Sequence, residues 1–248
     1  MKQTRLIMGM PVTVEVTEEH RSEGDVEDIF AYFEYVDATF STYKPTSEIS
    51  RINAHTLRLE DSCQDMRDIF QMAEQTRLET DGYFDIARKG FYDPSGIVKG
   101  WAIQNAASLL WMKGFSNFYV DAGGDIQTFG LSPDGGPWRV GIRNPFNIHE
   151  IVKVVKVKNQ AVATSGTSIR GQHIYNPNQP EQTLDDCLSL TVIGPRIMDA
   201  DRYATAAFAM GTTGIEFIEE MDGFEGYQID ATGRATLTSG FKEYVYHD

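Results

Sequence analysis

Residues 93–102, DPSGIVKGWA, join a Pro-Ser-Gly turn to an apolar segment of helical period that carries Lys99 in its first turn. Backbone N–H groups at the start of a helix have no partner within the helix, and the helix dipole adds partial positive charge there. With an ammonium group beside them, these groups form a pocket suited to a phosphate or a diphosphate. Asp93, just upstream, is placed to recognise hydroxyl groups or bases through hydrogen bonds, or to bind a metal.

The local pattern also fits a simpler interpretation. Lys99 is followed by Gly100 and not by Ser or Thr, and the glycine spacing is wrong for a P-loop. A helix capped by Ser95, with an exposed lysine in its first turn, explains the same residues. Other segments of the sequence are needed to distinguish a phosphate-binding helix start from a simple capped helix.

Composition narrows the classes of partner. The chain has 248 residues, with 22 Lys and Arg against 36 Asp and Glu, and a net charge of −14. Nucleic acid and anionic membrane surfaces are therefore excluded as general partners, and an anionic ligand needs a local positive site, with or without a metal ion. Hydrophobic residues make up 41% of the chain, as in a soluble globular protein.

Targeting signals are not evident in the sequence. No apolar run approaches the ~20 residues of a membrane span, and the N-terminus lacks the apolar core of a signal peptide. Cys63 and Cys187 lie far apart without metal-ligand spacing, which indicates free thiols in a reducing compartment. We therefore expect a cytoplasmic protein.

Helices and short strands alternate along the chain. Hydrophobic periodicity predicts helices at 25–41, 64–79, about 97–112, 199–210 and near 213–221. It predicts strands at 6–16, 117–121, 125–129, 137–143, 151–157, 161–164 and 187–193, with two or three more between 225 and 246. A polar turn is expected at 41–48 and a loop at 83–96. This pattern favours a mixed α+β fold with largely antiparallel sheets over a doubly wound parallel sheet.

Asp201 and Thr205 are four residues apart on a predicted helix, so their side chains project from one face. A carboxylate and a hydroxyl oxygen together suit a hard cation such as Mg²⁺ or Ca²⁺. The alternative is that Asp201 caps the helix and that Thr205 bonds back to a backbone carbonyl.

Three further segments carry groups that suit a ligand. Gly82–Asp85 places a carboxylate beside two aromatic rings that could stack on a flat ligand, although a turn with a buried Phe is the simpler interpretation. Asp121–Asp125 contains a Gly-Gly pair that allows close approach of a ligand, or that merely closes a hairpin. His173 could act as a general base, although a structural or exposed histidine is more common.

Taken in order, these segments resemble the ApbE family, the FAD:protein FMN transferases. The resemblance extends from about residue 8 to residue 211. The matching segments are 8–9, 40–43, 47–53, 81–85, 93–100, 123–125, 138–142, 164–166, 173–174 and 200–205. Each motif is short, but their shared order is specific. The resemblance implies an ApbE-like, T-fold-related α+β fold, with residues 1–248 forming one domain around an FAD cleft.

The activity implied by the resemblance is a Mg²⁺-dependent group transfer, with Ca²⁺ as a substitute ion. FAD is the bound substrate, a threonine hydroxyl of an acceptor flavoprotein attacks the FMN-side phosphorus, and AMP leaves. An FAD pyrophosphatase that yields FMN and AMP, and a non-catalytic FAD-binding protein, remain as alternatives.

Site roles also follow from the resemblance, position by position. The implied metal ligands are the Asp201 carboxylate, the Thr205 hydroxyl and the backbone carbonyl of Gly96. His173 resembles the histidine that activates the acceptor hydroxyl, and Asp201 is the second implied catalytic residue. The implied FAD contacts are Met8, Tyr43, Tyr83, Phe84, Asp85, Asp93, Lys99 and Ile174.

The sequence departs from the family pattern in three places. Many family members are secreted lipoproteins, and this chain shows neither a signal peptide nor a lipid-attachment cysteine. Met10 replaces the usual threonine after Met-Gly, and the segment 86–92 is short where longer members carry an insert. These departures concern the compartment and the choice of acceptor more than FAD binding.

Overall fold

A computed structural model describes residues 1–18, 23–166, 174–181 and 183–247 and shows a sheet flanked by helices. The strands are β1 (Lys2–Ile7), β2 (Met10–Val16), β3 (Ala87–Arg88), β4 (Phe91–Tyr92), β5 (Phe118–Ala122), β6 (Asp125–Phe129), β7 (Trp138–Asn144), β8 (Asn147–Val157), β9 (Ala161–Gly166), β10 (Cys187–Gly194), β11 (Glu225–Asp230) and β12 (Ala235–Leu237). The α-helices are α1 (Glu27–Phe40), α2 (Glu48–Asn53), α3 (Gln64–Glu79), α4 (Ser95–Met112), α5 (Ile197–Ala209) and α6 (Gly214–Glu219).

Eight of these strands form one antiparallel sheet in the order β1-β2-β5-β6-β9-β10-β11-β12. Strands β3 and β4 form a small separate ribbon, and β7 and β8 form a second ribbon inserted between β6 and β9. The predicted α+β class with largely antiparallel sheets is confirmed.

The two faces of the large sheet bury different layers. Val120, Leu190 and Val192 point to the face covered by helices and join the larger core with residues such as Phe33 and Ile103. Because side chains alternate along a strand, their neighbours point to the opposite face. There a second core forms against the β7–β8 ribbon, from Trp138, Val140, Ile142, Val155, Val157, Val162, Ile193, Tyr227, Ile229 and Phe241. No helix in the described ranges is both long enough and apolar enough to cross a bilayer.

Three local predictions differ from the structure. The single strand expected at 6–16 is wrong, because Met8 and Gly9 adopt φ of 56° and 71° and close the β1–β2 hairpin. The polar turn at 41–48 continues into α2, whose start is capped where the Ser47 side chain accepts the Ser50 N–H. The loop expected at 83–96 contains the β3–β4 ribbon and the first two residues of α4. The helix expected at 64–79 coincides with α3.

Helices α4 and α5 cross very closely at Gly100. A Cβ placed on Gly100 would lie 2.7 Å from the Asp201 Cβ and 2.8 Å from the Ile197 carbonyl oxygen. One turn earlier, a Cβ on Gly96 would lie 3.2 Å from the Thr205 Cγ2 and 3.1 Å from the Phe84 ring. These glycines therefore let the start of α4 reach the polar face of α5.

We predict that Gly100→Ala destabilises the fold. The added methyl group forces the two helices apart, and overpacking of this kind costs about 1–3 kcal/mol, which outweighs the gain of up to about 1 kcal/mol in helix propensity. Urea denaturation measures the loss. Gly136→Ala is the matched control, because a Cβ there meets no atom within 4 Å. A Gly100→Ala protein as stable as the control variant would contradict the close crossing.

Candidate functional site

A cleft of about 590 Å³ lies where the start of α4, the β5–β6 hairpin, strand β9 and helix α5 come together. The β7–β8 ribbon forms one of its walls, and residues 83–88 form another. The cleft thus collects side chains from segments that are far apart in the sequence.

The start of α4 faces this cleft, but its capping differs from the prediction. Ser95 is the first helical residue and Pro94 occupies the cap position. Asp93 Oδ1 accepts the Ser95 N–H at 3.0 Å, so Asp93 and not Ser95 supplies the side-chain cap. Asp93, Gly96 and Lys99 all line the cleft, as expected.

The polar pair on α5 points to the same place. Asp201 is 2% exposed and lies inside the helix, so it does not act as the helix cap. Its Oδ2 atom accepts the Gly100 N–H at 2.7 Å. In a regular helix this N–H donates to the carbonyl oxygen of Gly96. The Gly96 carbonyl therefore either shares the Gly100 N–H with Asp201 or has no hydrogen bond from it. Thr205 Oγ1 lies 3.4 Å from Ser165 Oγ.

Lys99 lies between two buried carboxylates. Its Nζ is 2.6 Å from Asp125 Oδ2 and 3.4 Å from Asp201 Oδ1. Asp125 is 2% exposed, and its Oδ1 accepts the Thr164 N–H at 3.0 Å. Burial raises the pKa of Asp201 well above its usual range; Asp125 adds to this, while Lys99 and the Gly100 N–H oppose it.

The oxygen atoms at this end of the cleft fit a hard divalent cation. The Asp201 carboxylate, the Thr205 hydroxyl and the Gly96 carbonyl are the types of ligand that Mg²⁺ prefers. Within the described ranges, no group of three or more His, Cys, Asp or Glu side chains is arranged to hold a metal. Such an ion would therefore complete its shell with water or with oxygens of a bound phosphate, as Mg²⁺ commonly does.

The aromatic turn predicted as a ligand contact also lines the cleft. Tyr83, Phe84, Asp85 and Ile174 all contribute to its wall. Phe84 is 3% exposed and packs against Gly96, while Asp85 Oδ1 accepts the Ala87 N–H at 2.8 Å. Phe84 therefore has a structural role in holding the start of α4.

Two of the residues assigned to the site from the sequence do not line the cleft. Met8 lies in the β1–β2 turn and Tyr43 is 95% exposed, and neither lines the cleft. His173 lies outside the described residues. Their predicted roles stay predictions.

Two parts of the site, Asp125 and the β7–β8 ribbon, had no role assigned from the sequence. Asp125 stood only in the Gly-Gly hairpin and in the matching segment 123–125, although its Oδ2 lies 2.6 Å from the Lys99 Nζ. The β7–β8 ribbon contributes Arg139 and Arg143, and strand β5 contributes Tyr119. Arg139 stood in the matching segment 138–142 without an assigned role, and no local pattern marks Arg143 or Tyr119, because the tertiary fold brings them to the cleft.

A comparison with known families resolves the class of this protein. The family model described as "ApbE family" matches residues 8–92 and 88–228. The chain belongs to the ApbE family. This confirms the resemblance drawn from the motifs.

Individual ApbE relatives are distant in sequence. The chain is 31% identical over 164 residues to an FAD:protein FMN transferase of Vibrio cholerae, covering 62% of this chain and 48% of that protein. It thus spans about half the length of this relative. A protein of the same name from Haemophilus influenzae is 24% identical over 290 aligned positions, covering 90% of this chain and 84% of that one.

Solved structures confirm the fold. The flavin transferase ApbE from Vibrio cholerae superposes with a TM-score of 0.86 at 23% identity and covers 98% of both chains. An ApbE protein from Thermotoga maritima gives 0.88 at 20% identity, covering 100% of this chain and 99% of that one.

We predict that the Lys99–Asp125 pair is coupled energetically. Asp125→Asn keeps an oxygen for the Thr164 N–H but removes the carboxylate that lies 2.6 Å from the Lys99 Nζ. We expect a loss of about 1–3 kcal/mol in the free energy of unfolding. The double variant with Lys99→Met removes both members, so it should lose less than the sum of the single variants. Urea denaturation of all four proteins gives the coupling energy. Additive losses would contradict a stabilising pair.

We also predict that Asp121, which lines the cleft, makes the free energy of unfolding depend on pH. Burial raises the pKa of Asp121 to about 6 from 3.8, with a contribution from Asp125. A raised carboxyl pKa contributes stability below pH 3.8, and this contribution is lost as the pH rises towards 6. Asp121→Asn removes the titration, so its stability relative to the parent should increase by up to about 3 kcal/mol between pH 4 and pH 7. A pH-independent difference would contradict the shift.

Proposed function

We propose that this protein transfers the FMN moiety of FAD to a threonine hydroxyl of an acceptor flavoprotein and releases AMP. One observation carries the proposal: Lys99 and the oxygen set of Gly96, Asp201 and Thr205 meet at one end of a cleft large enough for a nucleotide. The curated relatives bear the name of this activity.

The reaction requires one bond to form and one to break. The threonine Oγ bonds to the FMN-side phosphorus, the phosphoanhydride bond breaks towards AMP, and the hydroxyl proton passes to a base. Transfer of this kind depends mainly on positioning and on neutralising phosphate charge. A bound Mg²⁺ supplies that charge neutralisation.

Lys99 supplies the second positive charge of the site. Because its side chain is largely buried and its Nζ is held by Asp125 at 2.6 Å, the ammonium group has a fixed position at the cleft. A fixed cation at a site of developing charge stabilises a transition state without reorganising at the moment of reaction. Asp125 is thus a positioning residue in this proposal.

The other roles follow the family resemblance. Tyr83, Phe84, Asp85, Asp93 and Ile174 line the cleft and are proposed as FAD contacts. Met8 and Tyr43 are proposed as further FAD contacts. His173 is proposed as the base that accepts the hydroxyl proton.

We predict that Asp201→Asn abolishes most FMN transfer. The variant removes the one carboxylate among the proposed metal ligands, so the rate should fall by about two powers of ten or more. The parent and the variant are incubated with FAD, Mg²⁺ and an acceptor flavoprotein, and FMN-linked acceptor is measured by in-gel fluorescence and mass spectrometry. A Mg²⁺ titration that monitors thermal stability should show a shift for the parent and none for the variant.

Asp222→Asn is the matched control, because Asp222 is exposed and does not line the cleft. The products distinguish the alternatives. AMP and free FMN formed equally without acceptor would indicate an FAD pyrophosphatase. FAD retained without turnover, and equally by Asp201→Asn, would indicate a binding protein and would overturn the proposal.

A further inference from the structure

The β7–β8 ribbon has a charge opposite to that of the rest of the chain. Residues 138–158, which are the ribbon together with Lys158 directly after β8, contain five basic residues and one acidic residue, a net charge of +4 with histidine neutral. Since the whole chain has a net charge of −14, all the other residues together have a net charge of −18. A segregation of this size within one ribbon creates a local positive field on an otherwise acidic molecule.

The strand register places several of these cations on one face. Arg139 and Lys156 are directly opposite each other, so their side chains share the face that is turned away from the buried Val140–Val155 pair. Both cations lie near the ring of Tyr246, at 5.6 and 4.6 Å from its centre.

Arg139 and Arg143 also line the cleft, which joins the basic face to the proposed phosphate site. Among the described residues, the ribbon's cations form one ion pair within 4.0 Å, between Arg139 and Asp134. Lys156 and Lys158 are exposed and do not line the cleft. The ribbon therefore keeps positive charge available at its surface.

The end of the ribbon adds an apolar patch beside this charge. Phe146, Ile148 and Ile151 are 58%, 40% and 51% exposed. Ile151 lines the cleft and lies over Gly141, where a Cβ would come within 3.0 Å of its Cδ1. Apolar residues next to exposed cations at the edge of a cleft are typical of a surface that contacts another protein.

We propose that the β7–β8 ribbon is the docking surface for the acceptor protein, and that the acceptor presents an acidic surface beside its modified threonine. This inference rests on the proposed function, because a macromolecular acceptor has to contact the rim of the cleft to deliver its hydroxyl. An acidic partner is repelled by the remaining −18 charges and attracted by the ribbon, so the charge pattern orients it. The apolar end then contributes buried contact area.

Two labelled peptides test this proposal directly. Each contains one threonine in a Gly-Ser context, flanked by glutamates in one peptide and by lysines in the other, and binding to the FAD-loaded protein is measured by fluorescence anisotropy. We expect the acidic peptide to bind at least about tenfold more tightly at low salt, with the preference largely lost in 1 M salt because of screening. Equal binding, or a preference for the lysine peptide, would overturn the proposal.

Charge-reversal variants locate the interaction. Lys156→Glu combined with Lys158→Glu should remove the preference for the acidic peptide while leaving FAD affinity unchanged. Lys113→Glu combined with Arg58→Glu carries the same change in charge. Lys113 lies at the end of α4, and the exposed Arg58 directly precedes the short helix at 59–61, so this pair should retain the preference. A loss of FAD affinity in the ribbon variant, or an equal effect of both pairs, would overturn the ribbon as a docking surface.

The same preparations separate this proposal from the proposed function. FMN transfer to an acceptor flavoprotein in the presence of FAD and Mg²⁺ is measured alongside peptide binding. Absence of FMN transfer, together with a retained acidic preference, would contradict the transferase activity and leave the docking surface supported. Normal FMN transfer without any acidic preference would contradict the docking surface alone.

Discussion

The close crossing of α4 and α5 is the constraint on which the site depends. Gly100 has no side chain, so the Asp201 carboxylate reaches the helix backbone and accepts the Gly100 N–H at 2.7 Å. In a regular helix this N–H would pair with the Gly96 carbonyl. A Cβ on Gly96 would lie 3.2 Å from the Thr205 Cγ2, so the same helix crossing brings the start of α4 close to both Asp201 and Thr205.

The charge balance of the buried groups supports the proposed binding of a cation together with a phosphate. Asp125 and Asp201 are buried with one ammonium group, from Lys99, between them. Two carboxylates and one lysine leave an excess negative charge in a poorly solvated place, and the raised pKa of Asp201 reflects that cost. A divalent cation bound as proposed would reverse the sign of this charge, and the site could then accept a diphosphate.

Local features of the site were predictable from the sequence, and its assembly was not. The i, i+4 spacing placed Asp201 and Thr205 on one helix face, and the turn at 93–96 correctly indicated a helix start. The family resemblance, and not periodicity, linked them to Gly96. The role of Asp125 depends on the pairing of β6 with β9 across an inserted ribbon, which local patterns do not encode. The positive φ at Met8 likewise split a strand that alternation had predicted as continuous.

The most direct test of this account is the position of a Mn²⁺ ion in a crystal of the protein grown with FAD, located by anomalous scattering. We expect the ion to contact the Asp201 carboxylate, the Thr205 hydroxyl and the Gly96 carbonyl, with the FAD diphosphate between it and Lys99. An ion bound elsewhere, or a diphosphate distant from Lys99, would contradict the account.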